Sequence, residues 1–146
     1  MKNYHELKDV PRRFKEVEPE RDEYIHNEIL VDTYGNDEVT SAWYYYLEEK
    51  LGFPFTAMVI THRSRQMGRS VTISSSQVEI LDMAPLSRCG YNQMWVIGIF
   101  FGTQDKPVHF FLSDITQVEP GEERETALVD WLYWNRHQSS EIWLMR

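Results

Sequence analysis

Along most of this chain the apolar residues repeat at one of two spacings, and the switch between them divides it. Val39, Ala42, Trp43, Tyr46, Leu47 and Leu51 recur three and four residues apart, the spacing that gathers side chains on one helical face. Glu38, Ser41, Glu48 and Glu49 fall on the opposite face. Gly52 stands just past the last apolar position, where a left-handed residue ends many helices, and Phe53-Pro54 forbids continuation. A shorter helix is predicted over Glu20 to Val31, with Tyr24, Ile25 and Ile29 on one side. The turn Thr33-Tyr34-Gly35-Asn36 joins the two.

From Phe53 onward the period shortens. Phe55 to Thr61, a weaker stretch near Ser70 to Ser75, Gln77 to Met83, Met94 to Phe101 and Val108 to Leu112 read as strands rich in β-formers. His62 to Ser70 reads as a loop, and Gly102 to Pro107 as a hairpin turn. After Val118-Glu-Pro-Gly121 a final helix opens with acids in its first turn and buries Ala127, Leu128, Trp131, Leu132, Tyr133 and Trp134. The expected fold is α+β: a small curled antiparallel sheet of SH3-like barrel type, flanked by N-terminal helices and a C-terminal helix. Residues 1–19 are expected to be an extension or docking arm, and residues 20–146 a single domain.

Charge sharpens this picture because it is unevenly spread. The net charge is −8. Residues 27–50 hold six acids against one lysine, and residues 118–146 hold six acids against three arginines. The rest of the chain is nearly neutral. No basic patch offers itself to phosphates, so nucleic acid is an unsuitable partner, whereas a cation or a basic protein fits. The longest apolar run, Met94 to Phe101, is far too short to cross a membrane, and the N-terminus has no apolar signal region. A single cysteine, Cys89, excludes an internal disulfide and a multi-cysteine metal site, so a reducing, cytoplasmic setting is expected.

Candidate chemistry concentrates ahead of the central helix. Asp32, Asn36, Asp37 and Glu38 put four oxygen-bearing side chains within seven residues, around Gly35. Calcium takes six to eight oxygens from carboxylates, amides, carbonyls and water, and these side chains with free turn carbonyls could supply most of such a shell. The spacing is not that of an EF-hand, since counting from Asp32 puts Asp37 at the glycine position and Trp43 at the bidentate glutamate position. The competing reading is helix capping: Asn36 or Asp37 as N-cap, with Glu38 complementing the positive helix end. A cation there would face the unfavourable pole of the dipole, which favours capping. Tyr44 and Tyr45 are expected at the sides of the helix, half-buried with their hydroxyls hydrogen-bonded. Asp130 to Trp134 are expected mostly in the core, where Asp130 has a tyrosine hydroxyl or a metal as its candidate tether. Catalytic patterns are thin: the five histidines are scattered, no nucleophile elbow or phosphate loop is present, and Cys89 stands alone. The chain is therefore expected not to be an enzyme.

Several stretches resemble one family. Glu28-Ile-Leu-Val-Asp-Thr-Tyr, Glu38, Trp43-Tyr-Tyr-Tyr-Leu-Glu-Glu and Leu51-Gly-Phe-Pro-Phe-Thr-Ala are similar to the cyanobacterial-type, non-EF-hand family of small acidic calcium-binding proteins. The likeness continues through Val78-Glu-Ile-Leu-Asp-Met-Ala-Pro, Cys89, Met94-Trp-Val and Asp130-Trp-Leu-Tyr-Trp, about residues 24 to 135. It implies a calcium buffer or sensor whose ligands lie among Asp32, Glu38 and the turn residues between them. It departs at Gly35-Asn-Asp, where a denser acidic run is expected, and at Arg88, where an acid is expected. The alternative is a non-enzymatic interaction module with a small β-barrel and an acidic surface.

Overall fold

The computed structural model describes residues 4–7, 18–66, 70–90 and 92–144, with the side chains of 62–66, 70–73 and 138–144 left aside. Its elements, in order, are β1 (His5–Glu6), α1 (Pro19–Tyr24), a π-helical turn (Ile25–Ile29), α2 (Asn36–Lys50), β2 (Phe55–Gln66), β3 (Ser70–Met83), β4 (Trp95–Phe100), β5 (Val108–Phe111), β6 (Ile115–Val118) and α3 (Glu122–Leu144). Short 3-10 turns occupy Leu86–Arg88 and Leu112–Asp114.

The fold is α+β. The six strands form one antiparallel sheet in the order β1-β6-β2-β3-β4-β5. Among the described residues the sheet is open, with β1 and β5 at its edges, so the curl expected of an SH3-like barrel does not run to closure. Of the expected loop His62 to Ser70, His62–Gln66 and Ser70 are strand, with Gln66 opposite Ser70, while residues 67–69 lie outside the described residues. The two stretches read between Ser70 and Met83 are one strand. Two further strands escaped the sequence pattern, β6 and β1. Of residues 1–19, His5 and Glu6 pair with Val118 and Gln117, and Leu7 is buried, its N–H donating to the Thr116 carbonyl at 3.0 Å. Residues 8–17, which fall in the predicted arm, lie outside the described residues.

Alternation sets the sheet's inner face. Phe55, Ala57, Val59, Val78, Ile80, Val96, Phe110, Ile115 and Val118 are buried and join Trp43, Leu47, Leu51, Ala127, Leu128 and Trp131 in one core. Gly98 of β4 is required by a close approach: a Cβ there would meet Val78 Cγ1 at 2.7 Å and the Glu79 carbonyl oxygen at 2.9 Å.

The apolar stripes of α2 and α3 meet as aromatics. Trp43 lies 5.4 Å from Trp131 and 5.6 Å from Trp134, ring centre to ring centre. This meeting fixes the axis of α2, and with it the position of the acidic turn at its N-terminus. Gly52, at φ +68°, ends α2 as its sequence position implies. Tyr44 sits deeper than the half-buried lateral position expected of it. It is buried, and its hydroxyl donates to the Ala84 carbonyl at 2.7 Å, tying α2 to the end of β3. Tyr45 is exposed.

Candidate metal centre

The acidic turn is built by its backbone. The π-helical turn brings the chain to Leu30, whose carbonyl accepts a hydrogen bond from the Thr33 hydroxyl at 2.9 Å. Asp32 then takes a left-handed conformation, φ +56°, a region that aspartate enters more readily than most side chains. Gly35, not Asn36 or Asp37, is the N-cap of α2, and no side chain caps it. Asn36, Asp37 and Glu38 are therefore the first three helical residues. Asp37 and Glu38 complement the positive helix end. Glu38 also folds back and accepts the Tyr34 N–H at 2.8 Å. All four candidate side chains are exposed.

The turn divides into two shallow hollows. Asp32, Thr33, Asp37, Glu38 and Ser41 line one of about 500 Å³. Asn36 lines the other, about 420 Å³, again with Asp37 and Glu38. Asp37 and Glu38 thus belong to both, whereas Asp32 and Asn36 face different sides. The hydroxyls of Thr33 and Ser41 were not singled out from the sequence. Ser41 sits one turn after Asp37 and Glu38, a spacing that places it on their face. Among the described residues no three Asp, Glu, His or Cys side chains stand close enough to hold a metal ion. The donors are gathered but not closed.

The set nonetheless has the chemistry calcium requires. Three carboxylates, an amide and two hydroxyls are hard oxygen donors, and no basic residue lies among them. Three full negative charges outweigh the fractional positive charge of one helix end. Elsewhere, Asp130 is not hydrogen-bonded to a tyrosine: it is buried and ion-paired through Oδ1 to Nη1 of Arg21. Cys89 is partly buried, and that burial raises its thiol pKa, the reverse of what a nucleophile needs.

An oxygen-rich turn ahead of an aromatic helix, beside an open antiparallel sheet, defines a small acidic α+β protein. The CcbP family model, described as calcium binding, matches residues 23–135, and the chain belongs to that calcium-binding family. It is similar to the crystal structure of Anabaena CcbP, at 35% identity and a TM-score of 0.69, covering 82% of this chain and 91% of that one. It is equally similar to a calcium-binding protein in its calcium-binding form, at 34% identity and a TM-score of 0.69, covering 86% and 92%. No curated protein matches the chain. The family is a calcium-binding one and not an enzyme class. No helix among the described residues is long and apolar enough to cross a membrane.

Proposed function

We propose that this calcium-binding protein holds its ion at the turn before α2, with Asp32, Asn36, Asp37 and Glu38 as side-chain ligands and turn carbonyls and water completing the shell. The observation that carries this is the sharing of Asp37 and Glu38 between two adjacent hollows, one bordered by Asp32 and the other by Asn36. All four side chains are exposed, so Asp32 and Asn36 are able to turn from their two sides toward the Asp37 and Glu38 that they flank. The open turn suits calcium over magnesium, which demands a tight octahedron and gives up water reluctantly.

Binding has a structural consequence. Glu38 holds the Tyr34 N–H, and a carboxylate oxygen turned onto an ion is taken from that amide. Ion binding and the local fold of the turn are coupled, which favours a sensor over a passive buffer. The acidic surface also suits a basic protein partner, and the single Cys89 suits a reducing, cytoplasmic setting.

Calorimetric titration with calcium, on the wild type and on Asp37→Asn and Glu38→Gln, tests the site. Each variant is expected to weaken binding by tenfold or more, because each removes a full charge from the shell. Undiminished binding in both would place the ion elsewhere. No heat at millimolar calcium would end the reading.

A further inference from the structure

A second acidic hollow lies away from the turn, between α1 and the first half of α3. It encloses about 660 Å³ and is bordered by Glu18, Pro19, Glu20, Arg21, Tyr24 and Asp130, with three acids against one arginine. Asp130 is only 2% exposed. Its Oδ1 is taken by Arg21, while its Oδ2 is buried with no hydrogen-bond partner. Such an oxygen has lost its hydration without full replacement, and the group best able to restore it is a further cationic donor. Arg21 is itself committed, its Nε donating to Glu18 Oε2 at 3.3 Å. An anion is thus disfavoured by the surrounding acids, and a bare metal ion by the guanidinium already in place.

We propose that this hollow takes the arginine or lysine side chain of a basic partner protein. The cationic head would reach Asp130 Oδ2, and Glu18 and Glu20 would flank it. The aliphatic stem would lie along Pro19 and the exposed ring of Tyr24. This gives a location to the basic partner named above, and it does not depend on the calcium site.

The test uses the full chain in chelator and a fluorescein-labelled Gly-Arg-Gly-Arg-Gly peptide, with the same peptide carrying citrulline in place of arginine. Anisotropy should give a dissociation constant below about 1 mM for arginine, a range reachable by one desolvated charge pair with rim support. Citrulline should abolish it. Glu20→Gln and Tyr24→Ala, both on exposed positions, should each weaken binding about threefold, and Asp130→Asn about tenfold or more. Amide NMR shifts should centre on Tyr24 and Thr126. Equal binding of the citrulline peptide, or no effect of either exposed variant, overturns the proposal. Shifts centred on the 32–38 turn would also sink this hollow while keeping a basic partner, and no binding at all would remove both.

Discussion

Arg124, in the first turn of α3, donates Nε to the carbonyl of Leu51 at 2.7 Å, at the C-terminal end of α2. The same guanidinium reaches the carbonyls of Gly52 at 3.1 Å and Glu119 at 2.8 Å, and lies 4.6 Å above the centre of the Phe55 ring. One side chain thereby satisfies carbonyls that the end of α2 leaves without helical partners, and joins that end to the chain entering α3. The planar fork matters, because several acceptors in different directions are met at once. We expect Arg124→Met to lower unfolding free energy by about 2–4 kcal/mol, from charge-assisted bonds lost and carbonyls left unmet. Arg124→Lys should recover only part of it. Urea denaturation measures both, and a loss under about 0.5 kcal/mol in Arg124→Met would show that water replaces the guanidinium at no cost.

Asp130 gives a pH-dependent prediction. Burial raises its pKa above the ordinary 3.8, and the attraction of Arg21 only partly offsets this. The folded protein thus holds this proton more tightly than the unfolded chain does. By linkage, its contribution to stability declines as pH rises from the unfolded value through the folded one, and is level on either side. Asn at this position has no such titration. The stability of the wild type relative to Asp130→Asn should therefore fall as pH climbs from about 4 through the raised folded pKa, a window read off urea unfolding at successive pH values. A gap that widened in favour of the wild type over that interval would show that the ion pair with Arg21 outweighs burial.

The sequence made the local elements readable where a periodic stripe and a stop signal coincided, and less so where pairing depended on distant residues. The apolar stripe from Val39 to Leu51, closed by Gly52, marked α2 because every cue lies within 16 residues. β6 has only four residues, and its existence depends on Ala57, Met58 and Val59 across the sheet. β1 depends in turn on β6. Tyr44 was expected at the side of the helix, and it is buried because the end of β3 offers the Ala84 carbonyl there. At the site, the oxygen-bearing residues were legible as a cluster. Their division into two hollows was not, since it follows from the left-handed turn at Asp32 and the return of Glu38 to Tyr34. The pairing of Arg21 with Asp130, 109 residues apart, left no local trace.

Asp32 allows stability and ion binding to be separated. Its left-handed backbone is open to glycine without steric cost, whereas a β-branched residue is strongly disfavoured there. Asp32→Gly should leave unfolding free energy within about 1 kcal/mol of the wild type, and Asp32→Val should lower it by about 1–2 kcal/mol. Both should weaken calcium binding, since both remove the carboxylate. If Asp32→Gly bound calcium as the wild type does, Asp32 would be a turn-former and not a ligand.

Calcium should itself stabilise the fold, and the readout can be placed at one amide. An ion that binds only the folded state adds about 2.7 kcal/mol at 100 times its dissociation constant. For a chain of 146 residues that corresponds to a rise in Tm of about 5–11 °C. Glu38 is the point where this meets local structure, because its carboxylate holds the Tyr34 N–H. When the carboxylate turns to the ion, that amide loses its acceptor while the turn around it tightens. We therefore expect the Tyr34 amide resonance to move on calcium addition, and its hydrogen exchange to change in the opposite sense to the amides later in α2. Glu38→Gln should already show altered exchange at Tyr34 without calcium, and little further change with it. A calcium-induced rise in Tm with Tyr34 unmoved would keep the ion but separate it from Glu38.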